Sequence, residues 1–175
     1  MKKYLFILLA AMTFVACSDD GDENIVTGKT ISPVAEGEIK MDVQEFFENE
    51  FAAGGNIYDF PFAINSVEIN KPYEVVYKII NSQKELTDLY KGNNRLPDID
   101  FVNHSLLIGF VVGPDGRYAL DGVVLQENEK GLSLIVYIQK KNDAGITALI
   151  TLPFWNLYPK LSEKKLETKV IENNH

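Results

Sequence analysis

The chain is 175 residues long, 46% apolar and 24% charged, with a formal net charge of −8. That much apolar sequence fills one sizeable core, and the length favours one domain over two. The acidic balance excludes a general nucleic-acid binder, which needs surplus Lys and Arg to meet phosphate. A single cysteine excludes a disulfide framework and a cysteine-rich zinc site.

The first sixteen residues read as a leader outside the fold. Lys2 and Lys3 make a basic start, and Tyr4 to Ala16 form an apolar run that stops at Cys17. As a helix this run measures roughly 20 Å, short of a hydrocarbon core of about 30 Å. Basic start, short apolar run and small residue together describe a cleaved signal peptide. Phe14-Val15-Ala16-Cys17 resembles a bacterial lipobox, with Phe14 where Leu is usual. The resemblance implies cleavage before Cys17, diacylation of its thiol and acylation of its new amino terminus. Each buried methylene contributes about 0.8 kcal/mol and one chain holds only marginally, so several chains make the attachment lasting. The competing reading, a buried core cysteine, sits poorly beside the charged residues that follow. Cleavage removes Lys2 and Lys3 and no acid, so 17 basic residues become 15 against 25 acidic, a net of −10.

Ser18, Asp19, Asp20, Asp22 and Glu23 surround Gly21 in a solvated acidic tract. It resembles the export signal beside the lipidated cysteine in surface-exposed lipoproteins of Bacteroidota. That implies an outer-membrane protein facing outward; a plain spacer below a periplasm-facing domain is the alternative. From Asn24 to Lys40 large apolar residues are scarce and Gly28, Pro33 and Gly37 intervene. Residues 17–40 therefore read as a lipidated acidic tether and 41–175 as the domain.

Within the domain Asp42 is placed to cap a helix, with Glu45 three residues on and Val43, Phe46, Phe47 and Phe51 along one face, up to Gly54-Gly55. Short extended segments follow through Ile57, Phe60, Phe62, Ile64, Val67 and Ile69. Tyr73 to Ile80 alternates as a strand, with Tyr73, Val75, Tyr77 and Ile79 on one side. Ser82-Gln83-Lys84-Glu85 is a capping box, opening a short helix that carries Leu86, Leu89 and Tyr90 and stops at Gly92. Ser105 to Val112 is almost wholly apolar, as a central strand covered on both faces must be. Gly113-Pro114-Asp115-Gly116 is turn chemistry, Tyr118 to Gln126 the return strand, and Asn128 to Gly131 the next turn. Leu132, Leu134, Val136 and Ile138 alternate, Ile146 to Leu152 is a strand interrupted at Pro153, and Leu166 to Ile171 suits an edge strand. Many strands after one helix predict a single compact α+β domain, mainly antiparallel, with one or two short helices.

The order of strand, Ser82-Gln83-Lys84-Glu85-Leu86 helix, Ile99-Asp100-Phe101 and Leu106-Leu107-Ile108-Gly109 resembles the PrcB-like protease-complex-subunit domain. The likeness continues through Gly116-Arg117-Tyr118, Leu132 to Val136 and Tyr158-Pro159-Lys160, covering about residues 72–172. Where that family often has Ser-Pro, this chain has Leu152-Pro153, which holds the likeness to the level of fold. The resemblance implies a lipoprotein domain that associates with and stabilises a partner protein without catalysis of its own.

Catalytic groups are few. His104 and Ser105 are adjacent at the start of a strand, so their side chains face opposite ways and cannot act as base and nucleophile together. His175 ends the chain, and no serine sits in a Gly-x-Ser-x-Gly elbow. Asp98 and Asp100 could share one side of an extended segment, but they lack the dense oxygen supply of a calcium loop; a turn that binds backbone amides is the plainer reading. No metal or cofactor is expected, and a hydrolase built on Asp98 and Asp100 ranks last. Phe154, Trp155 and Tyr158 between Pro153 and Pro159 form either a stacking surface for a glycan or peptide, anchored by Trp155, or the closure of one end of the core. Lys160, Lys164 and Lys165 read as a solvated basic group. The leading expectation is a non-enzymatic surface lipoprotein that binds a protein partner; the alternative is a glycan-binding accessory protein using the aromatic run.

Overall fold

The apolar run predicted as a central strand occupies β3 (His104–Gly113), where every residue from Ser105 to Gly113 is buried. Both its neighbours are antiparallel: β2 (Val75–Ile80) on one side and β6 (Ile150–Pro159) on the other. The computed structural model that shows this arrangement describes residues 28–51, 60–64, 71–141, 145–162 and 165–173. A second sheet is ordered β1 (Lys29–Ile31), β4 (Tyr118–Asn128), β5 (Gly131–Lys140), β7 (Glu167–Asn173). Two helices, α1 (Met41–Phe51) and α2 (Gln83–Leu89), complete the described elements with a short 3-10 turn at Glu36–Glu38. The result is one compact α+β domain with mostly antiparallel sheets.

Alternation along β3 makes three layers from these parts. Leu106, Ile108, Phe110 and Val112 share a cluster with Val43, Phe46 and Phe47 of α1 and Leu86 of α2. Leu107 and Val111, on the opposite face, share a second cluster with Leu125 of β4 and Leu134, Val136 and Ile138 of β5. The three-stranded sheet thus lies between the helices and the four-stranded sheet, and β3 has apolar cover on both faces. At the crossing with β6, Gly109 leaves room for a ring: a Cβ there would stand 2.4 Å from the Val76 carbonyl oxygen and 2.6 Å from Phe154 Cζ.

Local signals fold largely as they read. Ser82 Oγ accepts the Glu85 amide at 3.2 Å, while the Glu85 carboxylate reaches past it to the Asn81 amide at 2.7 Å. The reciprocal box is therefore displaced by one residue, and the helix stops at Leu89 with Tyr90 extended, ahead of Gly92. In α1, Asp42 lies inside the first turn and the Lys40 carbonyl opens the helix by accepting from Val43 and Gln44; the predicted end at Gly54-Gly55 lies outside the described residues. Asn128 pairs with Gly131 across Glu129-Lys130, and Gly131 takes φ 122°, which favours glycine.

Four expectations are corrected. The strand after Gly113–Gly116 does not return beside β3: β4 crosses to the other sheet and pairs with β5 and β1. β6 runs through Pro153, tolerated because β6 is an edge strand with no ladder on that side. Tyr73 stands outside β2 with φ 66°, its amide donating to the Val112 carbonyl. Residues 28–40, read as tether, belong to the fold: β1 pairs with β4, the Val34 amide donates to Leu157 of β6 at 2.8 Å, and Ile39 packs on the helical cluster. β7 is the expected edge strand, but it runs parallel to β5.

Gly109→Ala should destabilise the domain by about 2 kcal/mol, because the added methyl meets backbone and a packed ring. Urea denaturation measures it; a wild-type midpoint in the variant would show that Phe154 does not depend on Gly109.

Candidate functional site

The aromatic run is the place to begin, because it divides. Phe154 and Tyr158 have the same parity on β6 and turn into the space between the sheets, 3% and 0% exposed. Trp155 has the opposite parity; it is half-buried and stacks on Phe47 of α1, ring centroids 4.8 Å apart at 24°. Three residues read as one surface thus serve two cores, and they form no common platform. Burial pushes the Tyr158 hydroxyl up to about 12, and that hydroxyl has no hydrogen-bond partner among the described residues.

Trp155 does face open space on one side. A groove of about 460 Å³ runs beside β6, walled by Glu48 and Phe51 of α1, Leu120 and Val123 of β4, and Pro153 to Asn156. Glu48 is the one ionisable side chain among these lining residues. Below the groove Ser32 to Val34 cross from β1 to the edge of β6, where the Val34 amide donates to the Leu157 carbonyl. On the opposite side tyrosines bridge the layers. Tyr77 hydroxyl accepts the Leu166 amide at 2.6 Å and donates to the Leu166 carbonyl at 3.1 Å. Tyr73 and Tyr118 both donate to the Glu172 carboxylate, at 3.0 and 2.9 Å. Burial and then the neighbouring Glu172 push Tyr73 up to about 12, and the hydrogen bond to Glu172 raises Tyr118.

A second concavity, about 560 Å³, lies around Lys40, Asn81 to Gln83 and Asp98 to Val102. Here the two acids separate in role. Asp100 accepts from the Asn103 side-chain amide at 2.8 Å and from the Val102 and Asn103 backbone amides at 3.1 and 3.4 Å. Those bonds, the Asn103 side chain first, hold its carboxyl below the usual range. Asp98 is exposed and presents its backbone carbonyl to Lys40 Nζ at 3.3 Å. Among the described residues no group of three or more His, Cys, Asp or Glu is placed to hold a metal ion.

His104 and Ser105 diverge as their adjacency requires. His104 Nδ1 lies 3.2 Å from the Asp100 carbonyl. Ser105 is fully buried, donates to Asn81 Oδ1 and accepts the Leu161 amide at 2.9 Å. Lys160 also serves the framework, donating Nζ to the carbonyls of Asn81 and Phe101; Lys165 is exposed. Cys17, Ser18, Asp19, Asp20, Asp22, Glu23, Lys164 and His175 lie outside the described residues.

Sequence reading treated Asp115 only as a turn residue. It is 8% exposed; Oδ1 accepts the Arg117 amide at 2.9 Å, and the Arg117 guanidinium bonds both carboxylate oxygens. The Arg117 side chain first, then its backbone amide, lower Asp115 to about 2 from an ordinary 3.8. The Asp-Gly-Arg order was visible in the chain; that Arg117 folds back on Asp115 was not, because it depends on the backbone path of the turn.

Two outcomes follow. A carboxyl depressed in the fold adds stability above its unfolded value, and that contribution is lost as pH falls through the folded one. The margin of wild type over Asp115→Asn should therefore be full above about pH 4 and vanish towards pH 2. Chemical denaturation across that range reads it; a margin that persists at pH 2 would mean the pair is not its source. Tyr158→Phe should leave stability unchanged or raise it by up to about 1 kcal/mol, since it removes a buried, unpartnered hydroxyl. A loss above about 1 kcal/mol on thermal or urea denaturation would show that the hydroxyl is bonded after all. Compared with protein-family models, with curated proteins and with solved structures, the chain gave no match.

Proposed function

We propose that the protein is a lipid-anchored module of the outer-membrane surface that binds and stabilises a partner protein, without catalysis of its own. The groove between β4 and β6 carries this reading: it is open, exposes polar and apolar atoms in about equal measure, and has one ionisable side chain, Glu48, among its lining residues. Such chemistry suits contact with another protein better than bond breaking, which needs titratable groups converging on one point. Further support comes from the polar groups that a hydrolase would use. Ser105, Asp100 and Asp115 are engaged in hydrogen bonds of the fold itself.

The address rests on the lipobox at Phe14-Val15-Ala16-Cys17 and the acidic run after it. No helix among the described residues is long and apolar enough to cross a membrane, so in this reading attachment is by lipid at Cys17. The first described strand begins at Lys29, opposite Glu127 and next to the β4–β5 turn. The PrcB-like order of elements supports the same role, a domain that steadies a neighbouring protein.

Cross-linking the tagged, lipidated protein in membranes under mild conditions should recover a stoichiometric partner, and Leu120→Glu in the groove wall should cut that recovery about tenfold. Recovery of no partner sinks the proposal. The glycan reading keeps one supporting observation, that Trp155 shares the groove with Glu48 and Asn156. On a glycan array that reading requires binding which Trp155→Ala abolishes; binding that survives the substitution removes it.

A further inference from the structure

We propose that β7 is a releasable strap: it pivots at Leu166 and is locked at its far end by the Glu172 carboxylate, so that it leaves β5 as one unit while the rest of the domain stays folded. This goes beyond the partner-binding reading and does not depend on it.

Little of β7 is held by burial. No residue from Glu167 to Asn173 is buried, and Glu167, Thr168 and Lys169 are exposed. The strand lies at the edge of its sheet and pairs with β5 alone among the described strands. Its ladder is parallel where the other described ladders are antiparallel, and parallel pairing is slightly the less stable kind. Of its two apolar side chains, Val170 and Ile171, only Val170 packs against the cluster between the sheets.

The two ends are fastened differently. Just before β7, Leu166 is buried, and the Tyr77 hydroxyl grips both its backbone amide and its carbonyl. Leu161, on the same connection, is buried as well, and its amide donates to Ser105 Oγ. That end is built into the core. At the other end polar side chains do the fastening: Glu172 accepts Tyr73 on one carboxylate oxygen and Tyr118 on the other, and the Asn173 side-chain amide donates to Asp121 at 2.6 Å. Hydrogen bonds to a carboxylate are roughly twice as strong as neutral ones, so Glu172 is the main fastening there. It ties β7 to β4 through Tyr118 and to the segment before β2 through Tyr73. Tyr73 takes φ 66°, a region disfavoured for a residue with a side chain, so its half of the lock is held against a backbone preference. Without Glu172 both hydroxyls lose their common acceptor, and that end keeps an exposed ladder and one surface amide bond. Few buried apolar contacts together with exposed backbone bonds mark a segment that opens on its own. Release uncovers the β5 edge from Ser133 to Gln139.

Amide hydrogen exchange of the full-length protein in low denaturant tests the strap. The β7 amides that bond to β5 should open with a weaker denaturant dependence than those of β3, the mark of release short of unfolding. Glu172→Ala should speed β7 exchange by at least about tenfold. Tyr118→Phe, which removes one of the two bonds, should speed it less and serves where Glu172→Ala does not fold. Ile108→Val, in the buried centre of β3, should speed β3 exchange several-fold by lowering global stability and leave β7 exchange unchanged. If β7 accelerates with β3 in Ile108→Val, or shares its denaturant dependence in wild type, the strand opens only by global unfolding and the strap is overturned. Unchanged β7 exchange in both Glu172→Ala and Tyr118→Phe overturns the lock.

Discussion

Burial of β3 on both faces is the constraint from which the rest of the domain follows. A strand whose residues from Ser105 to Gly113 are all buried needs two antiparallel neighbours for its backbone groups and an apolar layer above and below. β2 and β6 provide the first requirement, and the helices and the four-stranded sheet provide the second. Burying a large aliphatic side chain contributes roughly 1.5–3 kcal/mol, whereas a typical internal hydrogen bond contributes about 1. The apolar faces of β3 therefore set which elements gather, and polar contacts only settle where the edges lie.

Layer by layer, what was legible in the chain was local. The capping box at Ser82, the uniform apolar run of β3 and the Asn128-to-Gly131 turn each declare themselves within a few residues. Sheet membership is different, because it depends on partners far away in sequence. A Gly-Pro-Asp-Gly turn normally folds a strand back beside its predecessor; here it carries β4 to the other sheet, where β5 awaits it across a tight hairpin. β1 has one apolar residue, Ile31, and is a strand only because the edge of β4 and the carbonyl of Leu157 are there to receive it. β6 hid its alternation for another reason. Both of its faces are covered, so Leu152, Phe154 and Tyr158 on one side and Trp155 and Leu157 on the other are all apolar. An apolar run with no polar face looks like a surface platform as easily as an edge strand, and only the layers on either side decide which it is.

Two stacked sheets leave two open sides, and this chain closes them unequally. Between β2 and β7 the tyrosines at 73 and 77 hold Glu172 and Leu166 from across the gap, and Tyr118 joins Glu172 from within its own sheet. Tyr73 accepts a positive φ at that place, a cost of order 1–3 kcal/mol for a residue with a side chain, which its bonds to Val112 and Glu172 help to offset. On the other side β4 and β6 approach each other directly, and the stretch from Ser32 to Val34 is joined to β6 by one described backbone hydrogen bond.

This asymmetry bears on where the domain would meet another molecule. A side latched by the Tyr77 and Tyr73 hydroxyls cannot open without losing several hydrogen bonds at once. The β4–β6 side has no such latch among the described residues, and the groove there opens beside the half-buried Leu120, Val123 and Trp155. The lower end of this seam is filled by β1 on β4 and by Val34, whose amide reaches Leu157, so the groove is confined to the end that Leu120, Val123 and Trp155 line.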